Sequence, residues 1–145
     1  MTAALVLYDV VVALHVVATV SAFGVLLAWP WLPSASAQAH RARARLLAVV
    51  VTRAAALGLV LGAYLATDRG LWSQPWVAGP LAILVVVLGI VGGYLTPAER
   101  RLAELCEHGD ERALATARRP VELVALGCFA LGVLAALSMV TKPGL

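Results

Sequence analysis

The sequence predicts an all-α, polytopic membrane protein built as a bundle of four transmembrane helices, and three observations carry that prediction. The chain is 62% hydrophobic and only 13% charged, whereas soluble domains are nearer about half apolar and about a quarter charged. Four long apolar runs cover residues 5–28, 46–67, 79–95 and 121–140. The basic residues between them are confined largely to alternate loops.

A helix needs roughly 20 residues to cross a hydrocarbon core of about 30 Å. Three runs reach that length, and the interfacial ends of the third extend it. Four spans with short connections use up the sequence, so residues 1–145 are expected to form a single domain. We find no internal repeat and no low-complexity tail. The first run lacks a basic leading segment, is too long for a signal-peptide core and carries Asp9 near its start. It is expected to remain in the mature protein.

Arg41, Arg43 and Arg45 lie in the first loop, and Arg100, Arg101, Arg112, Arg118 and Arg119 in the third. The second loop has Arg69, the C-terminal tail has Lys142, and Arg53 is inside a span. Loops one and three share a side, and the positive-inside rule assigns that side to the cytoplasm. The expected topology is N-out and C-out in a cell membrane, with cytoplasmic loops 29–45 and 96–120. Acidic residues dilute the charge of loop three, so the net +3 reads as topology and no nucleic-acid partner is expected.

Taken in order, the first helix should end at Trp29-Pro30-Trp31-Leu32-Pro33. Proline blocks helix continuation there, and tryptophan suits the headgroup layer. The small, polar stretch 34–45 reads as a loop. The second helix places Ala54, Gly58, Gly62 and Ala66 four residues apart. Small residues at that spacing let helix backbones approach closely, and such contact drives association where lipid is as apolar as the helix. This seam serves packing within the bundle or between two copies. Residues 68–78, with Trp72, Pro75 and Trp76, read as an interfacial turn. Gly89, Gly92 and Gly93 favour close packing of the third helix.

Loop three should carry an amphipathic helical pair over residues 97–119, lying on the cytoplasmic surface. Thr96-Pro97-Ala98-Glu99 has the form of a capping box with proline at the first helical position. Gly109 should end the first short helix, Asp110 should cap the second, and Pro120 should start the fourth span.

His15 is the leading candidate for chemistry, because ionisable groups at mid-membrane depth are costly and face the bundle interior. Its helical neighbours Tyr8, Ala18, Thr19 and Ala22 form a smaller, more polar stripe. The roles open to it are a packing hydrogen bond, a haem or metal ligand, or a proton-transfer group. Arg53 lies about two turns inside the second span. It either snorkels to the interface or pairs with Glu122, which a helix N-terminus favours. An anionic-substrate site is the sharper alternative. Asp9 reads as a headgroup-level carboxylate. Tyr8, Tyr64 and Tyr94 sit at span ends, as aromatic-belt residues do. Cys106 in loop three and Cys128 in the fourth span differ in depth and are expected to be free thiols. No phosphate loop, nucleophile elbow, zinc-protease motif or paired-cysteine motif is present.

The pattern Leu14-His15, Phe23-Gly24 and Ala28-Trp29-Pro30 resembles a family of small, uncharacterised bacterial four-helix integral membrane proteins. The segment 97–105 and the arginine pair before the fourth span are similar as well. The resemblance covers most of the chain and implies the same four-span topology in a bacterial inner membrane. More distantly, the Leu-His start resembles the copper-resistance D proteins and HemJ-type protoporphyrinogen oxidases. That likeness implies His15 as a copper or haem ligand. The sequence has no second intramembrane histidine, so bis-histidine haem would take two copies.

The function expected from sequence is therefore a non-enzymatic structural or accessory membrane protein. The alternatives are a haem-binding or redox protein using His15, and a small oligomeric transporter lined by His15 and Arg53. Its expected partners are the lipid bilayer and either further copies of itself or a larger membrane complex.

Overall fold

Four helices long and apolar enough to cross a membrane make up almost the whole fold. In the computed structural model, residues 3–142 are described, with side chains from Val6 onward. Helix α1 is Ala3–Ala28 and ends in a single 3-10 turn, Trp29–Trp31. Helices α2, α3 and α4 are Ala37–Asp68, Pro75–His108 and Glu111–Thr141. Among the described residues there is no strand. The chain runs up and down, and each helix packs against others of the bundle.

All three of the later helices run well beyond their apolar cores. The second begins at Ala37, so much of the expected first loop is helical and stacks on the far end of α3. The expected helical pair over 97–119 is present as extensions of α3 and α4 that form a helical hairpin. Gly109 turns that hairpin in the left-handed conformation, at φ 68°, which a residue without Cβ adopts freely. The Asp110 side chain accepts from the Ala113 amide at 3.0 Å, so stop and start occur where the sequence placed them.

Pro120 does not start a helix but lies inside α4, and Pro97 stands in the first turn of the α-helical stretch Thr96–His108, which continues α3 without a break. The reason at Pro97 is a slipped hydrogen-bond ladder just before it. Residues Val91–Leu95 form a π-turn, and the Thr96 hydroxyl donates to the Val91 carbonyl at 2.9 Å. Helix α2 repeats the device: Leu46–Val51 is a π-turn, and the Thr52 hydroxyl donates to the Leu47 carbonyl at 2.9 Å. The two π-turns pack against each other. At Pro120 the carbonyl freed four residues earlier belongs to Thr116, which is exposed.

The main core runs the length of this end of the bundle. It includes Leu26 and Trp29 of the first element, Leu47 and Val51 of α2, Val91, Leu95 and Leu102 of α3, and Val121 and Cys128 of α4. A smaller cluster of Ala66, Val77 and Leu81 closes the other end.

The small-residue seam of α2 faces inward against α1. Gly58, Gly62 and Ala66 are buried, whereas Ala54 is only partly so and Ala55 takes its place in the core. Spacing of exactly four drifts off a 3.6-residue period, and the step from Gly58 back to Ala55 corrects it. A Cβ on Gly58 would sit 3.0 Å from the Thr19 methyl. The seam is therefore used within one chain.

Candidate functional site

Two places in the bundle gather polar groups, and they are built in different ways. One is in the apolar midsection around His15. The other is at the end carrying most arginines, called the basic end below.

His15 projects from the inward stripe of α1, where Ala18 and Ala22 are buried. Its Nδ1 is 2.8 Å from the Gly58 carbonyl oxygen. A carbonyl can only accept, so Nδ1 carries the proton and donates. In the neutral ring Nε2 is then the acceptor, and among the described residues it has no hydrogen-bond partner. Gly62 makes the room: a Cβ there would lie 2.9 Å from the His15 Cε1 atom. The glycines of α2 therefore set the tautomer, through the Gly58 carbonyl, and the position of the ring, through the missing side chain of Gly62.

His15 lines a cleft of about 240 Å³ between α1, α3 and α4. Phe23, Leu84 and Phe129 are among its apolar walls, and Thr19 is the only other polar residue. The Thr19 hydroxyl donates to the His15 carbonyl at 2.9 Å, which leaves His15 as the polar feature of the cleft. Val20, Val133 and Met139 line it too and are well exposed, at 65%, 40% and 37%. The cleft thus opens sideways on the apolar surface of the bundle. Gly132 forms part of its wall because the Phe23 ring lies directly over it. A Cβ on Gly132 would clash with three ring atoms, Phe23 Cγ at 2.9 Å being the farthest.

The basic end holds a buried charged cluster that sequence reasoning missed. His40, Arg43 and Glu99 are 0%, 3% and 0% exposed. Glu99 Oε2 lies 2.6 Å from His40 Nδ1, and Arg43 donates to Glu99 Oε1 at 3.5 Å. Arg43 also donates to the Trp29 and Leu32 carbonyls, at 2.8 and 2.9 Å. Its guanidinium lies over the Trp29 ring, 4.7 Å from the centroid, a favourable cation–π distance. The cluster clamps the end of α1, the start of α2 and the extension of α3. Trp29 Nε1, His40 Nε2 and Arg43 Nε are buried without a protein partner.

Periodicity held the missing signal. Glu99 interrupts the apolar stripe Val91, Leu95, Leu102, and His40 and Arg43 continue the stripe of Leu47 and Val51 toward the N-terminus. A loop over 34–45 and a capping box at Thr96-Pro97-Ala98-Glu99 mask both stripes. In the structure Thr96 bonds within the helix and Glu99 points into the core.

The remaining candidates are dispersed. Arg53 is exposed and does not line the His15 cleft. Glu122 pairs with Arg118 at 2.7 Å, one turn away on α4, and not with Arg53. Arg118 also donates to Ser34 at 2.6 Å, fixing the first connection to α4. Asp9 is exposed, while Tyr8 stacks under the Arg69 guanidinium at 4.1 Å. Cys128 is free and buried in the main core, away from the His15 cleft, and Cys106 is free and half-buried. Among the described residues no three histidine, cysteine or acidic side chains converge to hold a metal ion.

No family model, curated protein or solved structure matches this chain, so the functional argument rests on these two sites.

Proposed function

We propose that the protein is a non-enzymatic, membrane-embedded binding or accessory protein that holds a small lipophilic molecule in the cleft beside His15. The observation that carries this reading is the donation of His15 Nδ1–H to the Gly58 carbonyl. It leaves Nε2 as a hydrogen-bond acceptor on a side chain lining a cleft that is apolar apart from His15 and Thr19. Ligand sites have this character, a mostly apolar lining with a few placed polar groups. The complementary ligand is an apolar chain or ring bearing one hydroxyl or protonated acid, entering from the bilayer through the side opening. Buried interhelical hydrogen bonds in membranes average only about 0.6 kcal/mol. One such bond to Nε2 would therefore orient the ligand, and apolar contact would hold it.

The lining of the cleft does not favour haem in a single chain. No arginine or lysine lines the cleft to meet carboxylate substituents. The same tautomer would suit a metal-bound histidine, whose second nitrogen commonly donates to a carbonyl. A visible spectrum of the purified protein separates the two readings. A Soret band lost in His15→Ala would replace the lipophile by haem shared between copies.

The direct test uses a photoreactive long-chain phenol in detergent micelles. Adducts are expected on α1, α3 and α4 around Phe23, Leu84 and Phe129, and they should fall sharply in His15→Leu. Adducts spread evenly over the exposed apolar surface, unchanged in that variant, would refute the site.

The arginine distribution supports a cytoplasmic basic end. In a Cys106→Ser background, Ala35→Cys is then labelled from the cytoplasm and Ser73→Cys from outside. The reverse pattern would invert the topology.

A further inference from the structure

The hairpin formed by the extensions of α3 and α4 carries a groove of about 770 Å³ on its outer side. Its floor is apolar, with Pro97, Ala98, Leu105 and Ala117 among its residues. Arg101 and Arg112 stand on its two walls, one from each helix. Among the described residues neither guanidinium has a carboxylate within ion-pair distance, whereas Arg41, Arg43 and Arg118 each have one. The one acid in the lining, Asp110, is engaged as the cap of α4.

The foot of the groove is Gly93, Tyr94 and Val121. Gly93 and Tyr94 are exposed at the end of the third apolar run, beside the buried Val121 at the start of the fourth, so the floor opens onto the outer apolar surface through Gly93 and Tyr94. Arg101 lies six residues beyond Leu95, about 9 Å along a helix rising 1.5 Å per residue. The headgroup layer adds roughly 5–7 Å to each side of the hydrocarbon core, and an arginine side chain reaches back toward it. Gly93 leaves the foot open without serving the fold, since a Cβ there would meet nothing within 4 Å.

We propose that this groove binds one anionic phospholipid, with an acyl chain along the floor and the phosphate between Arg101 and Arg112. Two cations above an apolar channel match the two halves of such a molecule, and the open foot gives it a path from the bilayer. Guanidinium suits the role because its planar donors match phosphate oxygens two at a time. The site is separate from the His15 cleft and does not depend on its ligand.

Native mass spectrometry of the full chain, with phosphatidylglycerol, phosphatidylcholine or inorganic phosphate added, tests this directly. Phosphatidylglycerol should be retained in preference to phosphatidylcholine. Loss of both groove arginines in R101Q/R112Q should reduce that retention about tenfold or more. The control R100Q/R119Q removes the same charge from exposed positions outside the groove, and retention should stay within about twofold. G93L plugs the foot without meeting a protein neighbour, so it should lower retention while leaving the melting temperature unchanged. Equal retention of the two lipids would overturn the proposal, as would equal losses in the two arginine pairs. Displacement of the lipid by equimolar inorganic phosphate would make this a free-anion site. A co-purifying subunit released by G93L, with lipid retention unaltered, would make it a protein interface.

Discussion

The midsection and the basic end of this bundle solve the same packing problem by opposite means. In the midsection, α1 and α2 meet through small residues, and one hydrogen bond from His15 to the Gly58 carbonyl is the polar contact between them among the described residues. At the basic end, α1, α2 and α3 meet through a buried carboxylate, a guanidinium and an imidazole. Within hydrocarbon a helix gains little from burying apolar surface, so close backbone approach is what holds the seam. The extended helices at the basic end run past the apolar runs, and there a charged cluster is assembled with Trp29 stacked on Arg43. The lesson is that depth selects the device. Small residues serve where ions are too costly, and ions serve where a unique register is wanted.

The comparison predicts unequal sensitivity to substitution. The largest effect belongs to Glu99. Glu99→Ala leaves Arg43 buried without its counter-charge and His40 without its hydrogen-bond partner, and breaking a buried pair in this way costs about 3–5 kcal/mol. Unfolding monitored in mixed micelles should show a loss of that order. A loss below about 1 kcal/mol would mean that water reaches the cluster and that it is not the clamp described here.

Next comes the α1–α4 contact at Gly132. Gly132→Ala overlaps the Phe23 ring, and overpacking of this kind costs about 1–3 kcal/mol. Phe23→Leu in the same chain should recover most of it. Failure of that rescue would assign the cost to the α4 backbone instead.

In the α1–α2 seam, Gly62→Ala pushes on the His15 ring and should cost about 1 kcal/mol or slightly more. His15→Leu removes only the bond to Gly58 and should cost about 0.6 kcal/mol. If His15→Leu proved the costlier of the two, the histidine and not the close approach would be the main tie in the midsection. The smallest effect is expected at the exposed pair Arg118–Glu122, where Glu122→Gln should change stability by less than about 0.5 kcal/mol.

The same division explains how much could be read from sequence. The four spans were legible because hydropathy over 18 or more residues reports the solvent directly. The seam was legible because small residues every fourth position have few other uses in a span. Gly109 and Asp110 were legible as a stop and a start because each acts through its own backbone neighbourhood. The helix lengths were not. Pro97 and Pro120 mark helix starts in most contexts, and a π-turn such as the one at Val91–Leu95 leaves no sequence signature strong enough to overrule them. Ending the third span before Pro97 makes Glu99 a cap, and reading the small, polar stretch 34–45 as a loop makes His40 and Arg43 loop charges. The cluster needed tertiary knowledge, since Glu99 is more than 50 residues from either partner. The His15 contact was half legible: its inward face followed from Ala18 and Ala22, whereas the carbonyl that fixes its tautomer did not.

The central claim is that His15 offers a free Nε2 to a lipophilic ligand. Nitrogen-15 magnetic resonance of a histidine-labelled sample, with His15→Leu used for assignment, tests it most directly. The account predicts a protonated Nδ1 and an unprotonated Nε2 whose resonance shifts when a long-chain phenol is added. A protonated Nε2, or an Nε2 resonance unmoved by the phenol, would contradict it.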